Sequence, residues 1–483
     1  MRTSVLGPAS LCTHEEVFLC KKYQKAGEIM SKQDFVDVHE TPALTRLLPL
    51  SIQHLFAMFG STVLVPILTG LDISAALIAS GLGTLIFMMI TKGKIPNYLG
   101  SSFAFIGPII TVTATYGQGV ALLGCFLSGL VYMLVAAMVR KFGVGWLDRL
   151  LPPVVIASII VVIGLSLAGV AVDMATKVTV EGKSVISLTS IEISLVSLLV
   201  TIIAAVMLRG FLSLIPILLG IIGGYGYTAL RHAELIDWAS ITNAPLFISL
   251  PEMFTQHLHV GLLTTAMMDK GAWLSALIIA PIAFVSLTEH LGHLLVTSKI
   301  MNRDLMKEPG LHRSLLGDGV ATAVAAFIGG PPSTTYGENM GVLAITRVYS
   351  RAVIGLAAVF AILFSFCGKI SAFLLTIPTP VLGGVSIVLF GIIASQGFRM
   401  YVENKVDFSN KRNMIIAASI LVTGIGGYKI SFEGVTFWQS FLTNLTIDNV
   451  AFATFIGIFL HAILPGKESA MGEAHKDQVE SAA

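Results

Sequence analysis

A polar stretch that cannot continue a helix, residues 329–341, interrupts an otherwise apolar part of the chain. Two glycines and two prolines in a row end the preceding segment, and an apolar helical pattern resumes at Met340. This pattern predicts a membrane span that is broken halfway, with a new helix beginning near Ser333 to Tyr336. A helix start exposes backbone N–H groups and the positive end of the helix dipole. Such a break is typical of the substrate site of a transporter, although a re-entrant loop or an ordinary loop would give the same pattern.

Glu338 favours the binding site over the two loop interpretations, because acids inside a membrane are costly and usually functional. The chain is 55% hydrophobic and only 12% charged, whereas soluble domains carry about 25% charged residues. We therefore expect a helical, polytopic membrane protein rather than a soluble enzyme. The formal net charge of +2 suggests no nucleic-acid partner. We also expect no catalytic residues, since no nucleophile with a general base is visible.

Segments long enough to cross a bilayer, about 20 residues each, predict an all-α membrane protein with about fourteen spans, of which the third and tenth are short or broken. The predicted spans are 48–69, 73–91, 98–115, 118–139, 151–172, 186–208, 211–230, 271–298, 314–329, 334–348, 350–371, 379–398, 412–428 and 446–464. The long segment 231–270 between the seventh and eighth spans is predicted to lie on a membrane surface.

The distribution of basic residues supports this map. With the N-terminus in the cytoplasm, the inner loops carry sixteen Lys and Arg residues and the outer loops carry six, as the positive-inside rule requires. We therefore expect a multi-pass protein of the cell membrane with both termini cytoplasmic. Residues 1–47 would form a polar N-terminal tail without a signal peptide, and residues 466–483 would form a C-terminal tail.

The two halves of the chain resemble each other. Gln53-His54-Leu55 in the first span matches Glu289-His290-Leu291 in the eighth, and the small-residue stretch 100–103 corresponds to 330–341. A repeat of seven spans has an odd number, so the second copy must be inverted in the membrane. Inverted repeats with matched breaks place a binding site at the repeat interface near mid-membrane.

Glu289 and His293 are four residues apart and share one helix face. Because a carboxyl in a dry site can load and release a proton near neutral pH, we expect these two residues to couple transport to protons. The alternative is a purely structural hydrogen bond between them. A metal site built on His290 and His293 is not expected, since no further ligands are visible.

Glu338 can accept hydrogen bonds when ionised, and the backbone N–H groups of the helix start can donate them. Together they suit a planar ligand with alternating ring N–H and C=O groups. Phe103 lies beside the break in the third span, and its ring could stack on such a ligand, whereas we expect Phe105 to serve in packing. For His54, a contact between helices is as good an interpretation as a site role.

The sequence Glu338-Asn339-Met340-Gly341, followed after four residues by Thr346-Arg347, resembles the signature of the nucleobase–ascorbate transporter family. Three other stretches resemble the uracil-transporting members of that family, and the resemblance covers about residues 45–465. These stretches are 53–60, 98–105 and 289–293.

The resemblance implies a fold and an activity. It implies one transporter domain, 48–465, made of two inverted seven-span repeats and working by alternating access. A core domain (about 48–139 and 271–371) would hold the substrate, and a gate domain (about 151–230 and 379–464) would form a homodimer contact. The implied activity is proton-coupled uptake of uracil or a related nucleobase, with no cofactor other than the coupling proton.

The resemblance also implies roles for individual residues. The substrate would lie between the carboxylates of Glu289 and Glu338, with backbone N–H groups reaching its carbonyl oxygens and His293 supporting Glu289. The residues assigned to the substrate site are Glu289, Glu338, Phe103, Gly337, His293, Tyr336 and Ser61. Ser61 and Phe390 depart from the uracil-transporter pattern, which has Ala and Tyr there.

Two alternatives remain open at this point. A xanthine or urate permease of the same family usually has Gln where this chain has Glu338. An anion transporter of the related sulfate-transporter fold would place an anion between the two broken spans, where Glu289 and Glu338 would repel it.

Overall fold

The computed structural model describes residues 35–180, 183–428, 430–431, 446–447 and 449–465. The predicted C-terminal tail and most of the predicted N-terminal tail lie outside these residues. Helices in the first part of the described chain are α1 (Leu44–Thr69), α2 (Ile73–Ile90), α3 (Ile106–Tyr116), α4 (Gln118–Phe142), α5 (Gly145–Leu150), α6 (Pro153–Ser166), α7 (Ala168–Thr176), α8 (Leu188–Val206) and α9 (Pro216–Arg231).

The later helices are, on average, shorter. They are α10 (Trp238–Asn243), α11 (Leu250–Glu252), α12 (Val260–Met268), α13 (Lys270–Ala276), α14 (Ile282–Met301), α15 (Leu311–Phe327), α16 (Gly337–Thr346), α17 (Arg351–Ser365), α18 (Gly368–Leu375), α19 (Thr379–Glu403), α20 (Lys411–Ile425) and α21 (Asn449–Ile463).

Short strands form antiparallel pairs between these helices. The strands are β1 (Leu99–Ser101), paired with β4 (Ser333–Thr335); β2 (Lys177–Val180), paired with β3 (Lys183–Ile186); and β5 (Ile430–Ser431), paired with β6 (Thr446–Ile447).

Within the described ranges, 6 helical segments are long and apolar enough to cross a membrane. They are α1, α2, α4, α6 together with α7, α8 and α19. A further pair, α17 and α18, meets the same criterion but is bent by 79° at a short break. The predicted fold class, an all-α membrane protein, is therefore confirmed. The count of fourteen spans stays a prediction.

The predicted breaks in the third and tenth spans are confirmed, and they pair with each other. Leu99 lies opposite Thr335 and Ser101 opposite Ser333 in the β1–β4 register. The ladder is extended at one end by a bond from Ser102 N to Pro332 O, 2.9 Å. At the other end, Tyr336 N donates to Tyr98 O, 3.0 Å. Because the strands run antiparallel, the helices that follow them start at opposite ends of the pair, as inverted repeats require.

The new helix of the tenth span begins at Gly337, just after the predicted range. Residues Ser333–Thr335 are a strand because their backbone pairs with β1. This pairing requires a glycine at position 100, since a Cβ there would lie 2.4 Å from the ring of Tyr336.

The eighth and eleventh predicted spans are also interrupted. The predicted span 271–298 consists of α13 and α14 separated by a turn at residues 277–281. In this turn, Ile278 N and Ile279 N bond to carbonyls three residues earlier, and Pro281 has no N–H to donate. The predicted span 350–371 is bent because Cys367, between α17 and α18, has an extended backbone, φ −89° and ψ 96°.

Residues 36–40, just before α1, pack against other parts of the protein, whereas the sequence predicts that they belong to a polar tail. Tyr349 N donates to Val36 O at 2.9 Å, and the guanidinium of Arg303 pairs with Asp37 at 2.9 Å. Helix α1 begins at Leu44, one turn before the predicted start. Residues 36–40 therefore link the start of α1 to the loops after α14 and α16.

The segment predicted to lie on a membrane surface, 231–270, contains short helices and packs on other elements. Ile248 N donates to Phe366 O at 2.7 Å. His257 Nδ1 lies 2.8 Å from Asp72 Oδ2 at the start of α2. The hydrogen bond to the Asp72 carboxylate raises the pKa of His257, against the opposing effect of burial.

Candidate functional site

Glu338 lies in the first turn of α16, where the positive end of the helix dipole stabilises a carboxylate. Ser61 on α1 donates a 2.6 Å hydrogen bond to Glu338 Oε1. Ser61 is buried and Glu338 is half-buried. The structure thus brings together two of the predicted site residues from opposite ends of the chain.

Glu289 lies on α14 and is 9% exposed. Its Oε2 atom is buried without a hydrogen-bond partner in the protein. Helix α14, which carries Glu289, packs against α16, which carries Glu338. A buried carboxylate oxygen without a partner is costly, so this atom is available to a ligand's N–H group.

His293, one turn along α14, does not hydrogen-bond Glu289 in the described part of the chain. Its Nδ1 atom lies 3.1 Å from Thr335 Oγ1 on β4. The structural alternative, a bond between the acid and the histidine, is therefore not formed. His293 instead connects α14 to the strand pair.

Phe103 begins the short 3₁₀ turn Phe103–Phe105 that precedes α3. Its ring makes an edge-to-face contact with Phe390 on α19, with centroids 6.0 Å apart. Phe105 is 1% exposed, which fits the expected packing role.

Neither helix start of the paired breaks is capped by a side chain. The N-cap residues are Ser102 before the 3₁₀ turn and Tyr336 before α16, and neither makes a capping hydrogen bond. The first N–H groups of a helix have no acceptor within the helix. The backbone N–H groups of Phe103 and Gly337 therefore have no acceptor from a capping side chain.

Tyr336 is buried, and its hydroxyl is engaged by the protein. The hydroxyl donates to Ser101 O at 3.0 Å and accepts from Thr62 Oγ1 at 3.2 Å. Its ring packs on the bare backbone of Gly100. In this arrangement Tyr336 supports the strand pair beneath the site.

His54 makes a contact between helices. Asn339 Nδ2 on α16 donates to His54 O at 3.0 Å and lies 3.1 Å from His54 Nδ1. This is the contact role that the sequence left open for His54.

Asp318 on α15 is a buried acid that the sequence reasoning missed. It is 0% exposed, and its Oδ2 atom lies 3.3 Å from His290 Nδ1. The other ring nitrogen of His290 hydrogen-bonds Ser314. The signal was available, because Asp318 is an acid between two glycines in an apolar span.

Gln396 was also missed. A Cβ built on Gly337 would lie 3.0 Å from Gln396 Nε2, so this amide reaches the start of α16. One amide side chain in an apolar span gave only a weak signal.

No group of three or more His, Cys, Asp and Glu side chains that could hold a metal ion occurs among the residues described above. The arrangement consists of two carboxylates and two uncapped helix starts. It can bind a small planar ligand that offers N–H donors and C=O acceptors on the same ring.

Comparison with solved structures shows the fold. The transmembrane domain of a cyanobacterial bicarbonate transporter, BicA, matches with a TM-score of 0.56 and 15% identity, over 81% of this chain and 98% of that one. The murine anion transporter solute carrier 26 family member A9 matches with a TM-score of 0.60 and 10% identity, over 94% of this chain and 72% of that one.

Comparison with known sequences shows the family. The uracil permease of Bacillus caldolyticus is 48% identical over 435 residues, which is 90% of this chain and 96% of that protein. The uracil permease of Escherichia coli K12 is 44% identical over 429 residues, 89% of this chain and 93% of that protein. The model of a permease family matches residues 45–431. The chain is therefore a multi-pass membrane transporter that belongs to this permease family, the nucleobase–ascorbate transporters.

Proposed function

We propose that this protein takes up uracil across the cell membrane by symport with protons. The observation that carries the proposal is that α14, which carries Glu289, packs against both uncapped helix starts, one of which carries Glu338. Uracil has two ring N–H donors and two carbonyl acceptors. Its N–H groups match the two carboxylates, and its carbonyl oxygens match the N–H groups of Phe103 and Gly337.

The names of the relatives support uracil over other nucleobases. Glu338 supports the same choice over xanthine or urate, because the corresponding permeases usually have Gln there. An anion is a poor substrate for this site, since it would lie beside two carboxylates. The likeness to the bicarbonate and anion transporters concerns the fold.

Proton coupling is assigned to Glu289 and His293. Glu289 has a buried oxygen without a protein partner, so binding of substrate and proton there can depend on each other. In this proposal His293 orients the site, and the proton is the only coupling ion.

The proposal includes the domain arrangement expected from the family resemblance. A core of about 48–139 and 271–371 carries the site, and a gate of about 151–230 and 379–464 forms the contact of a homodimer. Both termini lie in the cytoplasm.

Uptake into proteoliposomes tests the substrate and the coupling together. We expect radiolabelled uracil to accumulate when the outside is acidic, and unlabelled xanthine or sulfate in excess not to compete. Accumulation of xanthine or sulfate instead of uracil would contradict the proposed substrate. Uracil uptake that does not change with an imposed pH gradient would contradict proton coupling.

A further inference from the structure

Residues 36–40, which we call the strap, run beside the chain that follows α16. Val36 N donates to Arg347 O at 3.2 Å, and Tyr349 N donates to Val36 O at 2.9 Å. These two bonds make Val36 and Val348 a parallel bridge, the pattern in which one residue bonds to both neighbours of the residue opposite it. The strap is therefore paired with the protein through its backbone.

The strap is also anchored further along. Arg351 N donates to Val38 O at 3.0 Å, and Ser350 Oγ donates to Glu40 O at 2.6 Å. The Val38 side chain is fully buried and belongs to the hydrophobic core. Because α16 ends directly before these bonds, its C-terminal end is fixed by the strap.

The same elements hold the end of α14. Tyr349 Oη donates at 2.9 Å to Ile300 O, in the last turn of α14. The guanidinium of Arg303, just after α14, pairs with Asp37 of the strap at 2.9 Å. The strap and Tyr349 therefore join the ends of α14 and α16, the two helices that carry the acids of the candidate site.

We propose that the strap and Tyr349 position the substrate site from a distance, by setting the spacing between α14 and α16. The inference rests on the proposed function, in which the ligand lies between the acids on these two helices. Helix α16 has 10 residues and is about 15 Å long, so a tilt at its end moves the acid at its start. The strand pair holds the start of α16, and the strap holds its end. With both ends held, less of the binding energy is spent on ordering the site.

Equilibrium binding of radiolabelled uracil to purified Tyr349→Phe tests the contact with α14. Tyr401→Phe is the matched control, because the two tyrosines are 5% and 7% exposed and the Tyr401 hydroxyl hydrogen-bonds Ser158 on α6. We expect both variants to lose similar thermal stability. Affinity should fall about two- to tenfold in Tyr349→Phe, the effect of one lost hydrogen bond, and stay unchanged in Tyr401→Phe. Equal affinities in the two variants would overturn the proposal.

Val38→Ala tests the strap itself, because removing buried methyl groups weakens its packing. Val161→Ala, which shortens an equally buried valine on α6, is the control. We expect affinity to fall about two- to tenfold in Val38→Ala and to stay unchanged in Val161→Ala. In a Tyr349→Phe background the loss caused by Val38→Ala should be smaller, since both changes act on the same spacing. Fully additive losses, or an unchanged affinity in Val38→Ala, would overturn the proposal.

Disulfide cross-linking between α14 and α16 reports their spacing without uracil. Thr297 Oγ1 lies 3.2 Å from Met340 Sδ, so cysteines at these two positions should form a disulfide under mild oxidation. The reporter chain has its four native cysteines replaced by alanine. We expect the yield of this disulfide to fall in Tyr349→Phe and not in Tyr401→Phe, whereas equal yields would overturn the proposal. If the wild type binds no uracil, the proposed function fails, and the cross-linking yields still decide whether Tyr349 and the strap set the spacing.

Discussion

Ser61 Oγ donates a 2.6 Å hydrogen bond to Glu338 Oε1, and this bond joins the middle of α1 to the first turn of α16. A carboxylate that already accepts one bond from the protein keeps its other lone pairs for a ligand. Ser61 therefore orients Glu338 and leaves it able to accept a ring N–H.

Ser61→Ala should weaken uracil binding about two- to tenfold, the cost of one hydrogen bond. Ser51→Ala is the matched control, because Ser51 lies on the same helix and donates to Val353 O at 2.9 Å. Equilibrium binding to both purified variants makes the comparison. Equal affinities in the two variants would show that Ser61 does not orient Glu338.

Variants of Phe103 should separate the role of its backbone from that of its ring. Phe103→Leu keeps the N–H group and should bind uracil measurably, with some loss from the contact to Phe390. Phe103→Pro removes the donor at a helix start, where proline is otherwise tolerated, so binding should be lost. Equilibrium binding of uracil to the two purified variants is the measurement. Equal affinities would contradict the assignment of the backbone N–H group as the donor.

Glu289→Gln mimics the protonated acid and should uncouple transport from protons. Uracil should still exchange across the membrane, while accumulation driven by a pH gradient should be lost. Counterflow in proteoliposomes measures the exchange of uracil, and uptake under an imposed pH gradient in the same proteoliposomes measures its accumulation. If the variant still concentrates uracil in response to the gradient, the proton is carried elsewhere.

The contact between His257 and Asp72 should make stability depend on pH. The hydrogen bond raises the pKa of His257 in the folded protein, so its stabilising effect is fully present below the ordinary histidine pKa. The effect is lost as pH rises through the raised value. Thermal unfolding of wild type and His257→Gln across this range is the measurement. We expect the wild type to unfold at a higher temperature at acid pH and the difference to shrink as pH rises. A difference that does not change with pH would contradict the linkage.

The breaks in the third and tenth spans could be predicted because glycine and proline act locally on the backbone. Gly329, Gly330, Pro331 and Pro332 cannot continue a helix. Glu338 could be predicted for the same reason, since an acid beside such a break has few structural roles.

The partner of His293 could not be predicted. Thr335 is 42 residues away in sequence, and only the packing of β4 against α14 brings its hydroxyl to the imidazole ring. Asp318 was missed for another reason: its partner His290 lies on a different helix, although an acid in an apolar span was itself a signal. Residue spacing in the sequence predicts which side chains share one helix face, but it does not predict which side chains meet between different helices.

Uracil affinity of purified Glu338→Gln tests the central claim most directly. The amide has the size of the carboxylate but presents a donor where the ring N–H needs an acceptor. We expect the variant to have the elution volume and melting temperature of the wild type. We expect its affinity for uracil to be at least about 100-fold lower. Near-normal affinity in the folded variant would contradict a site in which the two carboxylates hold the ring.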